Sequence, residues 1–306
     1  MSLSRKLVLT VAGNRLVTRL VTKYGMRLGA SRFVAGESLE KTIDVVKRLN
    51  QEGLVVTLDF LGESVSTREE ALQATKTAID IFDAIAEHQI TSNVSVKLTQ
   101  LGLNIDYDFC LENMDRITAK AKELGNFVRI DMEDSPRIPA TLDLFKTLFN
   151  KYGKEHIGLV IQSYLYRSEA DVKELGEMGA NLRIVKGAYK EPAKIAYPDK
   201  KDVDKNYLHL VETHLKNGCY TAIATHDEKI INWTKQFVKE NQIPDNLFEL
   251  QMLYGIRSSL QRKLVEEGYK VRVYTPFGEE WYPYYTRRIA ERPANAFFVL
   301  KSMFKR

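Results

Sequence analysis

The chain has 306 residues, of which 44% are hydrophobic, and it carries a net charge of +5. This length fits either two ordinary domains or one large α/β barrel, and the apolar fraction is sufficient for a sizeable core. The mild basic excess does not indicate nucleic-acid binding, which needs a dense basic stripe. No apolar run approaches the roughly 20 residues of a transmembrane helix. Its two cysteines lie outside any C-x-x-C motif, which predicts a reducing, cytoplasmic compartment.

The first 36 residues contain no acidic residue and precede the repeats described below. Arg15, Arg19, Lys23 and Arg27 recur every four residues, a spacing that predicts one basic stripe along a helix. We interpret residues 1–36 as a helical arm that packs on the rest of the chain, with this stripe in solvent. An arm that also contacts anionic lipid headgroups, and so makes the protein peripheral to the inner face of a membrane, is the alternative.

Eight short runs of β-branched and apolar residues, each bounded by turn residues, follow this arm. Such runs are typical of strands that are buried on both faces. They are VVTLDFLG (55–62), VSVKLTQLG (94–102), FVRIDMED (127–134), IGLVIQSY (157–164), NLRIVKGAY (181–189), YTAIATH (220–226), LFELQML (247–253) and KVRVYTPFG (270–278).

Segments with the apolar spacing of amphipathic helices separate these runs. In one of them Thr67 and Glu70 have the spacing of a capping box, which predicts the start of a helix. In another, Ser168 is the predicted N-cap and Gly179 the predicted end. The chain therefore alternates strand and helix from the first run to the last.

Eight alternations of strand and helix predict an α/β fold in which residues 37–306 form a single (βα)₈ barrel domain. An open doubly wound sheet is the main alternative. The chain has no G-x-G-x-x-G motif after the first strand, which disfavours that alternative. No linker rich in proline, glycine or serine divides the repeats.

Polar side chains gather at the predicted carboxyl ends of the strands, where a (βα)₈ barrel builds its active site. A lysine such as Lys97, flanked by Val96 and Leu98, is costly to bury without a partner. Several charges in one barrel mouth imply an anion, or a cofactor with many acceptors. The polar candidates are Glu63, Lys97, Asp131, Glu133, Gln162, Arg183, Lys186, Thr225, His226, Gln251 and Tyr274.

Each candidate also has a purely structural interpretation. Lys97 could extend its ammonium to solvent, Asp131 could cap the next helix, and Arg183 could form a structural ion pair. His226 considered alone is more often a structural histidine. No metal site is predicted, because the five histidines are scattered and no H-x-x-x-H motif occurs.

Six motifs follow one another between Leu58 and Phe298: VSVKLTQLG, RIDMED, RIVKGAY, ATHD, VYTPFG and YYTRRIAERPAN. Together they resemble the motifs of the proline dehydrogenase family, flavin enzymes that open proline catabolism. The double arginine Arg287–Arg288, with Glu291 three residues later, is the most specific element. The stretch AERPAN departs from the glutamate–asparagine pair frequent in the family, although Glu291 is kept. The resemblance implies a distorted (βα)₈ barrel with extra N-terminal helices and FAD in its mouth.

The segment PYYTRRIAER is predicted to form a helix with Pro283 in its first turn, where a missing N–H does no harm. Tyr284, Arg287, Arg288 and Glu291 then share one face. Two guanidinium groups can clamp a carboxylate through paired hydrogen bonds, and tyrosines can enclose an apolar ring. The site suits a small substrate such as proline. A surface helix with ordinary ion pairs is the alternative.

The resemblance implies hydride transfer from C5 of L-proline to N5 of FAD, which gives Δ1-pyrroline-5-carboxylate in the first step of proline degradation to glutamate. In the family's arrangement Asp131 would orient a substrate-binding cation, and Arg183 would lie near flavin N5 and stabilise the reduced ring. The residues expected to bind the substrate are Lys97, Arg287, Arg288, Tyr274, Leu253, Tyr284 and Glu291. Those expected to bind FAD are Met132, Gln162, Arg183, Lys186, Gly187, Ala188, Thr225 and His226.

A gate and an electron acceptor complete these expectations. Glu63 and Arg287 are expected to form an ion pair that closes over bound proline, because strand eight neighbours strand one in a closed barrel, and the resemblance points the same way. No nicotinamide-binding motif occurs, so a membrane quinone is the expected electron acceptor. Nucleic acid is not an expected partner.

Two other classes of function remain open from the sequence. An aldolase-type barrel would use Lys97 as a Schiff-base nucleophile, which requires an apolar pocket that lowers the lysine pKa. A non-catalytic barrel would bind acidic lipid or nucleic acid through its basic arm.

Overall fold

The structure is a computed structural model that describes residues 25–26, 29–62 and 64–291. Its strands are β1 Val55–Phe60, β2 Ser92–Lys97, β3 Val128–Asp131, β4 Ile157–Gln162, β5 Asn181–Val185, β6 Thr221–Ala224, β7 Phe248–Leu253 and β8 Val271–Phe277. Its α-helices are α1 Leu39–Gln51, α2 Arg68–Glu87, α3 Tyr107–Glu123, α4 Ile138–Tyr152, α5 Ser168–Glu177, α6 Lys200–Lys216, α7 Glu228–Glu240, α8 Ser258–Glu266 and α9 Tyr282–Glu291.

The strands form one closed, parallel barrel in sequence order. β8 pairs with β1 from Val55, opposite Arg272, to Phe60, opposite Phe277. Each strand lies within one of the eight apolar runs or overlaps it, and a helix follows each strand. The predicted closed (βα)₈ barrel is confirmed, and the open doubly wound sheet is wrong.

The second apolar run departs from the prediction of a single strand. β2 begins at Ser92, ahead of the run, and ends at Lys97, after which Leu98–Leu101 form a buried 3₁₀ turn. A short apolar run does not distinguish a buried strand from a buried helical turn. Gly102 ends the turn at φ 101°, and a Cβ at this position would lie 2.8 Å from the Phe109 ring. The chain therefore leaves the barrel directly after Lys97.

The two predicted helix starts have different outcomes. The capping box of α2 is confirmed: Thr67 Oγ1 accepts the Glu70 N–H at 3.2 Å, and the Glu70 carboxylate accepts the Thr67 N–H at 3.1 Å. The prediction of Ser168 as an N-cap is wrong, because Arg167 holds that position without a side-chain cap. The Ser168 hydroxyl instead donates to the Gln162 carbonyl at 2.5 Å. The Ser168 hydroxyl thus satisfies a buried carbonyl at the end of β4, whereas an N-cap hydroxyl would accept a backbone N–H of the helix.

The main hydrophobic core lies between the barrel and its helices, whereas the lower interior of the barrel is polar. Arg129 Nη1 donates to the carbonyl oxygens of Leu159 and Asn181. Arg272 Nε donates to Glu249 Oε1 at 2.7 Å. Branched apolar residues usually fill this space in a (βα)₈ barrel, so the charged interior of this barrel departs from the usual filling.

A second, smaller apolar cluster joins the start of the described chain to α9. It contains Ala30, Phe33, Val34, Leu61, Trp281, Tyr284 and Tyr285. The basic stripe predicted from Arg15 to Arg27 lies outside the described residues, so the interpretation of residues 1–36 as an arm remains a prediction. No helix in the described part of the chain has the length and apolar character needed to cross a membrane.

One buried histidine generates a prediction about pH and stability. His214 in α6 is fully buried, and its Nε2 donates to the Ala180 carbonyl at 3.0 Å. Burial lowers the pKa of His214 to about 4, below the value of about 6.5 of an exposed histidine. The folded state therefore favours the neutral ring, and its stabilisation is complete above pH 6.5 and is lost as pH falls towards 4.

We expect His214→Gln to reduce the loss of unfolding free energy between pH 7 and pH 5 by about 2 kcal/mol. Urea unfolding at both pH values measures this difference. The control is His209→Gln, because His209 is about half exposed and its replacement should preserve the wild-type pH dependence. Equal losses in the wild type and in His214→Gln would contradict the assignment.

Candidate active site

The ammonium group of Lys97 lies between two carboxylates of neighbouring strands. Its Nζ is 2.7 Å from Asp59 Oδ1 and 3.5 Å from Asp131 Oδ2. Burial opposes the charge, but Asp59 and Asp131 raise the pKa of Lys97 above its ordinary value. The interpretation of Lys97 as a side chain that extends to solvent is therefore wrong. A Schiff-base nucleophile needs a lowered lysine pKa, so the geometry also argues against the aldolase alternative.

Asp131 is the centre of this hydrogen-bond network. Its Oδ1 accepts from Arg183 Nη1 at 2.8 Å and from the Ser95 hydroxyl at 3.0 Å, and its Oδ2 accepts from the Tyr274 hydroxyl at 2.7 Å. Burial opposes ionisation, but the charges of Lys97 and Arg183 hold the pKa of Asp131 below its usual value. The helix-cap interpretation of Asp131 is wrong, because its oxygens face the barrel interior.

Arg183 brings unsatisfied donors to the barrel mouth. Its side chain is almost fully buried, and its guanidinium lies 5.2 Å from the centre of the Tyr274 ring. Nη1 is bound to Asp131 and Ser95, whereas Nε and Nη2 are buried without a hydrogen-bond partner in the described part of the chain. Buried donors without acceptors are costly. These two positions therefore fit a ligand that supplies acceptor atoms.

The predicted helix with the two arginines is confirmed as α9, with Pro283 in its first turn. Tyr284 and Tyr285 are buried, and the Arg288 guanidinium lies 5.1 Å from the centre of the Tyr284 ring. Arg287 is exposed. The buried rings of Tyr284 and Tyr285 thus hold α9 in the second apolar cluster.

Tyr189, in the loop after β5, links α9 electrostatically to the strand ends. Burial, followed by the Glu133 carboxylate, raises the pKa of Tyr189 to about 12. The charges of Lys97 and Arg287 both act against this shift. The charges of Lys97 and Arg287 thus both act on the Tyr189 hydroxyl, whereas the position of Arg287 in the substrate site remains a prediction. Glu63 and the side chain of Glu291 lie outside the described residues, so their predicted contacts remain predictions.

His226 has a defined tautomer in the structure. Its Nε2 accepts the Leu253 N–H at 2.9 Å, so the proton of the neutral ring must be on Nδ1. The neighbouring Thr225 hydroxyl oxygen accepts the Asp227 N–H at 3.1 Å. These bonds join the ends of β6 and β7, and they hold the imidazole in one orientation.

The end of β5 carries a lysine followed by a glycine that requires its special conformation. Lys186 Nζ lies 2.5 Å from Asp204 Oδ1 and 3.3 Å from Asp227 Oδ2. Gly187 has φ 115°, and a Cβ there would lie 2.3 Å from the Tyr164 ring. Ala188 follows at the exposed rim. Only glycine permits this close approach of the backbone to the Tyr164 ring.

The remaining cofactor candidates are buried at the same end of the barrel. Gln162 Nε2 donates to the Glu133 carbonyl at 2.8 Å, and the Met132 side chain is 7% exposed. Glu133 itself accepts from the Thr99 N–H and hydroxyl, which is a structural contact. The predicted residues from β2 to β6 and from β8 therefore surround one mouth, in the part of the chain that the structure describes.

Sequence reasoning missed two residues that hold this mouth in place. Asp59 is buried and binds Lys97 more closely than Asp131 does. Asp59 is a single charged residue within the apolar run VVTLDF, as Lys97 is within its own run. Such a charge is costly to bury without a partner, and this signal could have identified Asp59 from the sequence. Arg257 adopts φ 56°, and its Nη1 donates to the His226 carbonyl at 2.8 Å. No local pattern marks Arg257 in the sequence.

The family model for proline dehydrogenase matches residues 42–301. The chain belongs to the proline dehydrogenase family. Proline dehydrogenase 1 of Bacillus subtilis is 46% identical over 302 residues, which are 99% of each chain. A proline dehydrogenase of Deinococcus radiodurans is 49% identical over 306 residues, which cover 99% of this chain and 98% of the relative. The resemblance inferred from the six motifs is confirmed along the whole chain.

Solved structures of the PutA proteins share the fold. PutA from Bdellovibrio bacteriovorus, inactivated by N-propargylglycine, matches with a TM-score of 0.83 and 27% identity, over 90% of this chain and 34% of that one. A PutA from Bradyrhizobium japonicum matches with a TM-score of 0.73 at 21% identity, which supports the fold alone. This chain spans about a third of the length of these PutA structures.

The network around Asp131 predicts a large effect on stability. Asp131→Asn would leave the Arg183 guanidinium buried without its carboxylate, and we expect it to lower the unfolding free energy by about 3–5 kcal/mol. Ser95→Ala removes a neutral hydroxyl that donates to the same oxygen and accepts from Arg183 Nη1, and we expect a loss of about 1 kcal/mol because Nη1 keeps its bond to Asp131. Urea unfolding compares the two variants. A loss for Asp131→Asn no larger than that for Ser95→Ala would contradict the central role of Asp131.

Proposed function

We propose that this chain oxidises L-proline to Δ1-pyrroline-5-carboxylate with bound FAD and passes the electrons to a membrane quinone. The observation that supports this most directly is the mouth in which Lys97 and Arg183 share Asp131, in a chain of the proline dehydrogenase family. Such a mouth offers ammonium and guanidinium donors in fixed positions to a small carboxylate and to a cofactor rich in acceptors.

The substrate carboxylate is bound by Lys97 together with Arg287 and Arg288 from α9. Guanidinium groups bind a carboxylate through paired hydrogen bonds. The same cations disfavour a second positive charge nearby, so they lower the tendency of the proline nitrogen to stay protonated. A neutral nitrogen keeps the lone pair that helps to expel a hydride from C5. Leu253, Tyr274 and Tyr284 line the hydrocarbon ring, with Glu291 directing the guanidinium groups.

FAD fits the residues at the opposite side of the mouth. The unmatched Nε and Nη2 of Arg183 need acceptors, and Gly187 and Ala188 are exposed at the rim. Bound FAD would supply the acceptor for the hydride from C5 of proline. The Arg183 charge would favour added electron density near it, and the bond from the Leu253 N–H holds the His226 ring in one orientation. The residues assigned to the cofactor are Met132, Gln162, Arg183, Lys186, Gly187, Ala188, Thr225 and His226.

Asp131 acts through the residues that it binds. Its two oxygens fix Arg183, Ser95 and Tyr274, and its charge helps Asp59 to keep Lys97 protonated. We therefore assign Asp131 as a positioning residue, whereas Arg183 is catalytic because it would contact the flavin. A displacement of about 1 Å in such a group costs a large part of the rate.

The proposal includes the gate between Glu63 and Arg287. β8 pairs with β1 over its whole length, so the loop after β1 lies beside the helix after β8. Leu61 in that loop belongs to the same apolar cluster as Tyr284 and Tyr285. These contacts between the loop after β1 and α9 support the proposal that Glu63 pairs with Arg287. The basic arm of residues 1–36 would hold the enzyme, in the cytoplasm, against the membrane that contains the quinone.

L-Proline should bleach the visible absorbance of the bound flavin under anaerobic conditions. The reason is that the residues proposed to bind the carboxylate and those proposed to bind the cofactor would share one cavity. Tetrahydrofuran-2-carboxylate keeps the ring and the carboxylate but lacks the amine nitrogen, so it should bind without bleaching. Absorbance spectra before and after each addition test both expectations. A bound flavin whose spectrum is unaffected by proline would show that the substrate assignment is wrong.

Arg288→Lys should raise the KM for proline about ten- to hundredfold, because the lost paired contact is worth about 1.5–3 kcal/mol. The FAD content should stay normal. Steady-state kinetics measure the effect, with Arg262→Lys as the control, because Arg262 lies in α8 and pairs with Glu52 on the surface. A normal KM in Arg288→Lys would mean that this arginine does not bind the carboxylate.

Glu63→Ala should raise the KM for proline and slow flavin reduction, because a gate without its acid retains substrate less well and excludes water less completely. A static surface ion pair is worth roughly 0–1 kcal/mol of stability and predicts normal kinetics. Rapid mixing of the oxidised enzyme with proline distinguishes the two cases. Glu69→Ala, at the exposed start of α2, is the control, and wild-type kinetics in Glu63→Ala would refute the gate.

A further inference from the structure

Residues 29–37, which we call the strap, cross the rim of the barrel before α1 begins. Phe33 in the strap is 1% exposed, and its ring centre lies 6.1 Å from that of Tyr285 in α9. Trp281 lies 5.6 Å from the same Tyr285 ring. The three aromatic side chains thus pack as a group, with the strap on one side and the helix on the other.

Hydrogen bonds fix the strap to the segment that leads into α9. The Ala35 N–H donates to the Pro276 carbonyl, and the Gly278 N–H donates to the Gly36 carbonyl, both at 2.9 Å. Trp281 Nε1 donates to Glu37 Oε1 at 3.3 Å. The strap therefore pairs with the end of β8 at Pro276 and Gly278, and it contacts Trp281, the residue directly before α9.

The loop after β7 has a glycine at the point where the strap passes. Gly255 has φ 69°, and a Cβ at this position would lie 1.5 Å from the Arg32 carbonyl oxygen. No side chain can occupy that space. The close approach of the Arg32 and Gly255 backbones therefore requires a glycine at position 255. This contact fixes the path of the strap over the rim.

The buried rings of α9 depend on this second cluster. Tyr284 and Tyr285 belong to it, together with Phe33 and Val34 of the strap. Among the described residues, the main core between barrel and helices includes none from α9. The strap consequently supplies a large part of the apolar surface against which the arginine-bearing helix packs.

We propose that the strap is a positioning element that sets α9 so that Arg287 and Arg288 reach the substrate carboxylate. The inference rests on the proposed function, because it assigns the strap to the same site. Phe33 acts through Tyr285 and does not itself contact the substrate. Paired hydrogen bonds to a carboxylate tolerate only small displacements, so a loosened helix weakens binding before it affects folding.

The variant Phe33→Leu removes the aromatic contact and keeps an apolar side chain. An aromatic pair is worth about 0.5–1.5 kcal/mol beyond its area, so we expect the Kd for tetrahydrofuran-2-carboxylate to rise about three- to tenfold. Flavin content should stay normal. Flavin absorbance during titration of the analogue gives the Kd, and denaturation of the same sample gives the flavin content.

A matched control separates positioning from general loss of packing. Phe145 in α4 is fully buried in the main core, and its ring centre lies 5.5 Å from that of Phe149. Phe145→Leu therefore also breaks a buried aromatic pair. We expect it to lower the melting temperature and to leave the Kd for the analogue unchanged. Equal Kd values in the two variants would overturn the proposal.

Hydrogen exchange of the wild-type enzyme tests the inference without a substitution. If the strap positions α9 for the ligand, the ligand must in turn stabilise the strap. Tetrahydrofuran-2-carboxylate should slow exchange at the amides of Phe33, Val34 and Ala35, and should leave those of α4 unchanged. An unaltered strap would refute the proposal, even if Phe33→Leu did not fold. An analogue that does not bind the wild type at all would refute the proposed function, and the strap inference with it.

Discussion

The ionised carboxylate of Asp131 makes a cationic barrel mouth possible. Lys97 and Arg183 would repel each other in this poorly solvated space, but each lies against Asp131, and Asp59 adds a second negative charge beside Lys97. The two acids balance the two cations of the strands. Arg287 and Arg288 lie on α9, outside this set of strand residues. Strand residues thus hold the geometry, and the helix contributes the two arginines that we propose for the substrate carboxylate.

The same electrostatic pattern continues below the mouth. Arg129 lies two residues before Asp131 on β3, so both face the barrel interior. Arg129 is 2% exposed and donates to neutral oxygens of Leu159 and Asn181 in the described part of the chain, whereas Arg272 pairs with Glu249. Burial opposes ionisation of Glu249, but Arg272 holds its pKa below the usual value. The lower layer therefore carries more positive than negative charge, which adds to the attraction of the mouth for anions.

Sequence patterns predicted the parts of the molecule that are local. Apolar runs gave the strands, and Lys97 and Arg183 were visible as charges that are costly to bury. The partner of each charge depends on strand register, which places Lys97 opposite Asp131 and Asp59 opposite Ser95. No pattern within one strand contains that information. The positive φ of Arg257 could not be predicted for a similar reason, since it follows from contacts between the ends of two strands.

The pairing of β8 with β1 closes the barrel, and α9 follows β8 directly. The residues proposed to bind substrate on α9 therefore lie on a different part of the chain from those proposed to bind the cofactor. Residues assigned to FAD lie on strands and loops from β3 to β6, and the main core packs these strands. The proposed carboxylate-binding arginines lie on α9, and Trp281, directly before this helix, donates to Glu37 across 244 positions of sequence. Contacts between such distant segments carry a high entropic cost of loop closure. Because α9 packs in a smaller apolar cluster than the strands do, we expect changes in that cluster to act first on the proposed substrate site.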